Sequence, residues 1–464
     1  DYANDNAVQN AYRANPFMKP FDADGNLNKN PGNYLSMGST TGYQFSDQTS
    51  PLLYMENQTK MSDAYRMLGN AYLQIKPMKG LTLKTVFQPT YRQWRLGQFD
   101  DTIVDNENST ARYNVSQSFG WVWDNILTYD RTFNQNHRVN ITAISSMEQH
   151  RSESANLYYQ NVMAGTYWWN LATGNYLAED SKNSYSESSM MSYALRGNYT
   201  YAGKYMLTAT VRWDGSSKFA PGYRWGAFPS AAVAWRLSEE GFMKDIDWLS
   251  NLKLRVSYGM TGNNAGVTNY ATQQTVGGPD YYYFGGAWMQ AFYPSGVVDT
   301  ALSWESSREI NTGLDFGFFK NRISGSIDWY NKTAYDLLFD VDLPLEAGSN
   351  GNSPKKMATN VGIVNNRGLE LALTTVNVET KDWRWETSFT FATNKNTLLD
   401  INGTADELPA NLLFKGEPIN VLYNYEWDGI ISDRDMVVPD HEIAKLKGLT
   451  PGTTMKEYEY YYIC

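Results

Sequence analysis

Apolar and polar residues alternate with a period of two through most of this chain, and the alternation comes in blocks. In INTGLDFGFFKNRISGSIDWY, residues 310–330, Ile310, Thr312, Leu314, Phe316 and Phe318 share one face, and Asn311, Gly313, Asp315 and Gly317 the other. After the FKNR turn, Ile323, Gly325, Ile327 and Trp329 alternate with Ser324, Ser326, Asp328 and Tyr330. A period of two marks a strand with unlike faces. The same reading covers Leu252, Leu254, Val256 and Tyr258, then Leu207, Ala209, Val211 and Trp213, and finally Trp383, Trp385, Phe389 and Phe391. About twelve strands are predicted, near 64–75, 81–92, 117–131, 138–151, 186–201, 205–215, 227–237, 252–262, 305–319, 322–338, 366–378 and 383–396.

The connectors sharpen this. Short ones at 76–80, 133–136, 202–204, 320–321 and 380–382 take turns with long ones at 93–116, 152–185, 216–226, 263–304 and 339–365. In an up-and-down sheet that order puts the short turns at one end and the long loops at the other, as in outer-membrane barrels. One short-end connector, 239–250, is longer, and the helical spacing of Phe242, Ile246 and Leu249 predicts a small helix under the rim. Alternation leaves open which face is wet: a soluble sandwich buries the apolar face, and a membrane barrel shows it to lipid.

Composition shifts the balance. Of 464 residues, 15% are aromatic, including 34 Tyr and 15 Trp, against 42% hydrophobic residues in all and a mean hydropathy of −0.52. No run approaches the ~18 apolar residues of a membrane-spanning helix, so any crossing is by strands of a closed barrel. Rings gather near strand ends, among them Trp121, Trp123, Tyr199, Tyr201, Trp213, Trp235 and Trp329, the arrangement of an interfacial girdle. A net charge of −10 disfavours nucleic acid, whose binding depends on Lys and Arg at phosphates. The single cysteine, Cys464, gives neither a disulfide framework nor a thiolate cluster. The opening DYANDNAVQNAYRANP has no basic and apolar leader pattern.

Catalytic and metal signals are weak, and no cofactor is expected. His137, His150 and His441 show no ligand or catalytic spacing and read as surface or turn residues. DADGNLN at 22–28 lacks the full order of acidic ligands and the distal Glu of a calcium loop. Asp315 and Asp328 lie on polar faces of neighbouring strands, and with Arg196, Arg212, Arg255, Glu370, Arg384 and Glu386 they read as lumen lining rather than as a glycosidase pair. The substrate-binding candidates are rings in long loops: Tyr167, Trp168 and Trp169 in GTYWWN, and Tyr281, Tyr282, Tyr283, Phe284 and Trp288 in GGPDYYYFGGAWMQ. Flat rings suit the C–H faces of a sugar; the alternatives are the packed interiors of loops or a docking surface for a partner.

The segments RWDGSSKFAPGYRWGAFPSAAVAWRLSEEGFM (212–243), LKLRVSYGMTGNN (252–264), WESSREINTGLDFGFFKNRISGSIDWYNKTAYDLLF (304–339) and NVGIVNNRGLELAL (360–373) resemble the SusC/RagA-like family of TonB-dependent transporters. YRMLGNAYLQIKPMKGLTLKT (65–85) and KGEPINVLYNYEWDGII (415–431) add to it. The resemblance implies an all-β, antiparallel up-and-down barrel of about 22 strands in the Gram-negative outer membrane. About twelve of these, without the plug, would lie in this chain. It implies a non-enzymatic importer of oligosaccharides or peptides, capped by a SusD-like surface lipoprotein and driven by TonB through regions not recognised here. The expected organisation is a loop region at 1–63, barrel hairpins at 64–396 and a further loop and strand region at 397–464. Two rival readings are a soluble surface carbohydrate-binding protein or glycoside hydrolase, and a siderophore or cobamide receptor.

Overall fold

Each alternating block forms a strand, and the strands join edge to edge in sequence order. The computed structural model describes residues 57–424, apart from 103–107, 179–180, 295, 345, 347–348, 351–352 and 404, and a few isolated positions before 57. The wall strands are β1 (Gln58–Leu68, continued by Ala71–Met78), β2 (Leu81–Asp100), β3 (Thr110–Phe133), β4 (His137–Gln160), β5 (Lys182–Tyr201) and β6 (Tyr205–Ser216). They continue as β7 (Trp225–Arg236), β8 (Leu249–Asn263), β9 (Glu305–Phe318), β10 (Ile323–Tyr335), β11 (Ile363–Glu379) and β12 (Arg384–Asp400). Every neighbouring pair is antiparallel, in one sheet running from β1 to β12.

Most strands outrun their predicted bounds, above all β3 and β4 at 24 residues each. The upper half of β4 carries polar residues on both faces, such as Gln149, Arg151 and Glu153 outward, so amphipathic contrast fades while the backbone ladder continues; in β3, Ala111, Tyr113 and Val115 keep alternating with Thr110, Arg112 and Asn114 before the predicted start. The break in β1 has a local cause. Pro89 of β2 has no N–H to donate, and opposite it Gly69 donates its own N–H to the Pro89 carbonyl at 2.9 Å. A Cβ on Gly69 would lie 2.9 Å from the Pro89 ring, so a larger residue would push the two strands apart.

Two expectations are corrected. The 237–248 connector is no helix: a three-residue 3-10 turn, Leu237–Glu239, leads into successive turns, since three apolar positions do not offset the cost of nucleating so short a helix. The strand expected to reach 338 ends at Tyr335, where Asp336 takes a left-handed conformation (φ 55°). The chain restarts as Leu338–Asp342, paired with Lys356–Asn360 in a separate ribbon among the long loops. Asp22, Ala23 and Asn28 of the Asp-rich turn, His441 and Cys464 lie outside the described residues.

Register sorts the two faces without ambiguity. Trp235, Leu254, Leu314, Ile327, Leu371 and Phe391 follow one another across six strands, as do Leu83, Leu127, Ala143, Leu195 and Val211 across five. Many of these side chains stand exposed, as do Trp123, Trp213, Val233 and Trp329. A continuous apolar surface this wide does not face water, and it is the lipid face. From Tyr205 in the lower ring row to Trp213 in the upper is eight residues, ~27 Å along a strand, or ~20 Å of height at the usual ~40° tilt. The apolar band of such barrels is ~25 Å tall.

The lower row is tied to the short turns. Glu240 accepts hydrogen bonds from Tyr205 Oη at 2.7 Å, Trp235 Nε1 at 3.0 Å and Lys204 Nζ at 3.0 Å. These bonds, Tyr205's foremost, favour the carboxylate and hold its pKa at about 2 against an ordinary 4.5. A depressed acid pKa stabilises the fold above the ordinary value and ceases to do so as pH falls through the folded one. The stability advantage of the native protein over Glu240→Gln should be complete above about pH 4.5 and vanish by about pH 2. Denaturant titrations of both proteins at pH 7, 4 and 2 will show it.

Candidate functional site

The opposite face is polar along its whole length. Arg196, Arg212, Arg255, Asp315, Asp328 and Glu370 all project to this side by register, and Arg384 and Glu386 follow by alternation along β12. Near the short-turn end, Arg255 of β8 reaches across β9 to Asp328 of β10. Its Nη2 lies 2.7 Å from Asp315 Oδ1 and 2.9 Å from Asp328 Oδ1, and Lys253 joins Asp315 at 3.3 Å. The strand in between makes the span possible because Gly313 presents no side chain: a Cβ there would collide with both Arg255 and Asp328. On β3 to β6 a hydrogen-bond ladder links Arg138 and Asn140 to Asp130, Asn198 to Asn140, and Thr208 to Asn198. The lining therefore offers amides and hydroxyls beside paired charges, while Arg196 and Glu370 carry charges without an ion-pair partner among the described residues.

Higher on the same face lies a recess of about 300 Å³ lined by Gln88, Thr90, Glu148, His150 and Ser188. Gly120 forms its floor, and a Cβ there would stand 3.1 Å from His150 Nδ1. Sequence reasoning read His150 as an ordinary surface or turn residue, yet register puts it opposite Gly120 and Ser188. Alternation along β4 held the clue to the face, but the recess depends on strands β2 and β5 as well.

The two aromatic loop clusters part company. In the β4–β5 loop, Trp168 is 7% exposed in a cluster with Phe99, Ala111 and Val162, its ring over Gly97. Gly97, Phe99, Ala111 and Tyr113 belong to the outer face by register, so this loop folds back on the outside of the wall. Tyr167 packs edge-on to Phe99, while Trp169 stays 66% exposed.

The β8–β9 loop leans the other way. Asn269 Nδ2 donates to Ser186 Oγ at 2.7 Å and Asn264 Nδ2 to Ser216 Oγ at 3.2 Å, and both serines lie on the polar face. Phe219, Val267 and Leu302 form a buried cluster against which Leu338 and Ala358 of the β10–β11 loop pack, so that it joins three loops. From this base projects a hairpin, Val276–Phe284 with Ala287–Pro294, turning at Gly285 and Gly286 with φ of 61° and 86°. The Gly-Gly turn between YYYF and AWMQ is a hairpin signal in the sequence. Tyr281, Tyr282, Tyr283, Phe284 and Trp288 are all more than half exposed, and Tyr283 meets Trp288 edge-on at 5.4 Å.

Residues 2–441 match the family model described as TonB dependent receptor-like, beta-barrel. A TonB-dependent receptor, P39 of Formosa agariphila, is 30% identical over 390 residues, which are 82% of this chain and 36% of that protein. The TonB-dependent receptor SusC of Bacteroides thetaiotaomicron is 38% identical over 224 residues, 48% of this chain and 22% of SusC. Among solved structures, the RagAB peptide importer in its closed-closed state superposes with a TM-score of 0.75 at 24% identity, covering 94% of this chain and 47% of that one. That likeness bears on the fold. The chain spans roughly a fifth to two fifths of the length of the curated relatives it matches.

Proposed function

The chain belongs to the TonB dependent receptor-like β-barrel family of outer-membrane transporters, and from that premise we propose that its wall guides an oligosaccharide inward. The long loops face outside and the short turns face the periplasm, following the rule for such barrels. A SusD-like lipoprotein covers the long-loop mouth, and the TonB complex powers import from the other side through parts of the receptor beyond this sequence. The chain itself makes and breaks no bond.

The exposed rings of the hairpin carry this reading. They stand on a loop anchored to the polar face of β5 and β6, above a lining rich in amides and hydroxyls in which Arg255 is paired with Asp315 and Asp328. Rings suit the C–H faces of a sugar, and amides and hydroxyls suit its alcohols. Trp168, packed against the outer face, holds its loop in place and does not touch cargo.

The test is calorimetric titration of the whole receptor with a panel of neutral oligosaccharides and of peptides. Trp288→Ala and Tyr283→Ala together should weaken oligosaccharide binding at least tenfold, while Trp169→Ala leaves it unchanged. Saturable binding of peptides but of no oligosaccharide would overturn the cargo assignment.

A further inference from the structure

Outward-facing charges are treated differently on the two halves of the wall. Above the lipid band on β1 to β5 they are matched: Arg95 with Asp63, Arg151 with Glu153, and Glu187 with Gln149 and Tyr185. On β9 to β12 they are not. Arg308, Arg367 and Lys395 face outward by register, and none has an acidic partner among the described residues. Arg308 only rests over the Tyr335 ring, 4.7 Å from its centroid. From Leu252 of β8 to Thr397 of β12, the outward positions include no carboxylate at all.

Arg367 and Lys395 are direct cross-strand partners. Like charges directly opposite in an antiparallel pair repel, and the arrangement is destabilising unless something neutralises it. Their height says what that is. Arg308 lies ten residues above the short-turn end of β9, Arg367 twelve above that of β11, and Lys395 eleven above that of β12. At ~3.3 Å per residue and a ~40° tilt these become ~25–30 Å, the top of a ~25 Å apolar band. Below them the outward face is Ile310, Leu314 and Phe316 on β9, Leu369, Leu371 and Leu373 on β11, and Phe389 and Phe391 on β12. Two guanidinium groups and an ammonium thus stand where outer-leaflet headgroups lie, with acyl-chain surface directly beneath.

We infer that Arg308, Arg367 and Lys395 form a binding site on the outer wall for a phosphate-bearing lipid of the outer leaflet. The guanidinium groups match phosphate oxygens in geometry as well as charge, and bound phosphate turns the Arg367–Lys395 repulsion into a shared attraction. The site rests only on the outer-membrane placement of the wall and is independent of what the lumen carries.

Thermal unfolding of the whole receptor in neutral detergent tests it, with lipid A as the probe beside phosphatidylethanolamine and inorganic phosphate. Lipid A should raise the melting temperature of the native protein saturably, and the other two should not. In Arg367→Gln/Lys395→Gln the rise should disappear, or need at least tenfold more lipid A. Without lipid, this variant should melt no lower than the native protein, because it removes a repulsion. An undiminished lipid A response in the variant, an equal response to either control, or a lipid-free variant less stable than the native protein would each overturn the assignment.

Discussion

Ile327→Arg should destabilise the receptor in lipid bilayers by ~2–4 kcal/mol, the cost of a guanidinium at the mid-depth of a barrel's lipid face. Ile327 sits four residues above the start of β10, with Leu314 and Leu371 beside it in register. A charge there has no partner and little chance to reach the headgroups. Ala372→Arg is the matched control: it lies on the opposite face, next to Ser326 and Thr390, and should cost less than ~1 kcal/mol because lumen positions stay hydrated. Urea titrations in liposomes compare the two. Equal costs would mean that the face exposed to lipid has been misassigned, and with it the orientation of every lining residue.

Arg255→Leu carries the second large expectation. It strands Asp315 and Asp328 on either side of a glycine with no cation between them except Lys253, 3.3 Å from Asp315. Removing one partner of a fully buried ion pair costs ~3–5 kcal/mol. The Arg255 side chain is a third exposed, so screening reduces this to ~1–2 kcal/mol. Adding Asp328→Asn should recover part of the loss by removing the stranded charge, a coupling that a double-mutant cycle measures directly. Gly313→Val should mimic Arg255→Leu without touching an ionic group, because a side chain at 313 occupies the path of the bridge.

That bridge shows where reading a sequence stops. Alternation put Arg255, Asp315 and Asp328 on polar faces, and placed Gly313 on the same face as Asp315 without giving it a role. Only the register, with Arg255 opposite Gly313 and Gly313 opposite Asp328, turns that glycine into the passage that lets one arginine serve two strands. The recess at His150 is similar, since its walls come from three hairpins. The aromatic loops separate for the same reason: GTYWWN and GGPDYYYFGGAWMQ look alike as compositions, yet Gly97 draws Trp168 to the outside while Ser186 and Ser216 draw the other loop inward. The early end of β10 turns on the left-handed backbone at Asp336, and the turns at 237–248 on the cost of nucleating so short a helix; the side-chain pattern marks neither.

By itself the sequence determined the wall strands found among the described residues and the order of short and long connectors between them, because a two-residue period and turn chemistry are local properties that each segment expresses alone. It also determined that membrane crossing, if any, is by strands, since no helix has the apolar length. The tertiary structure decided which side chains meet: the ion bridge over Gly313, the two fates of the aromatic loops, and the unmatched cations above the lipid band. Those depend on register and on loops returning to distant strands, where a shift of one residue would send every side chain to the other face.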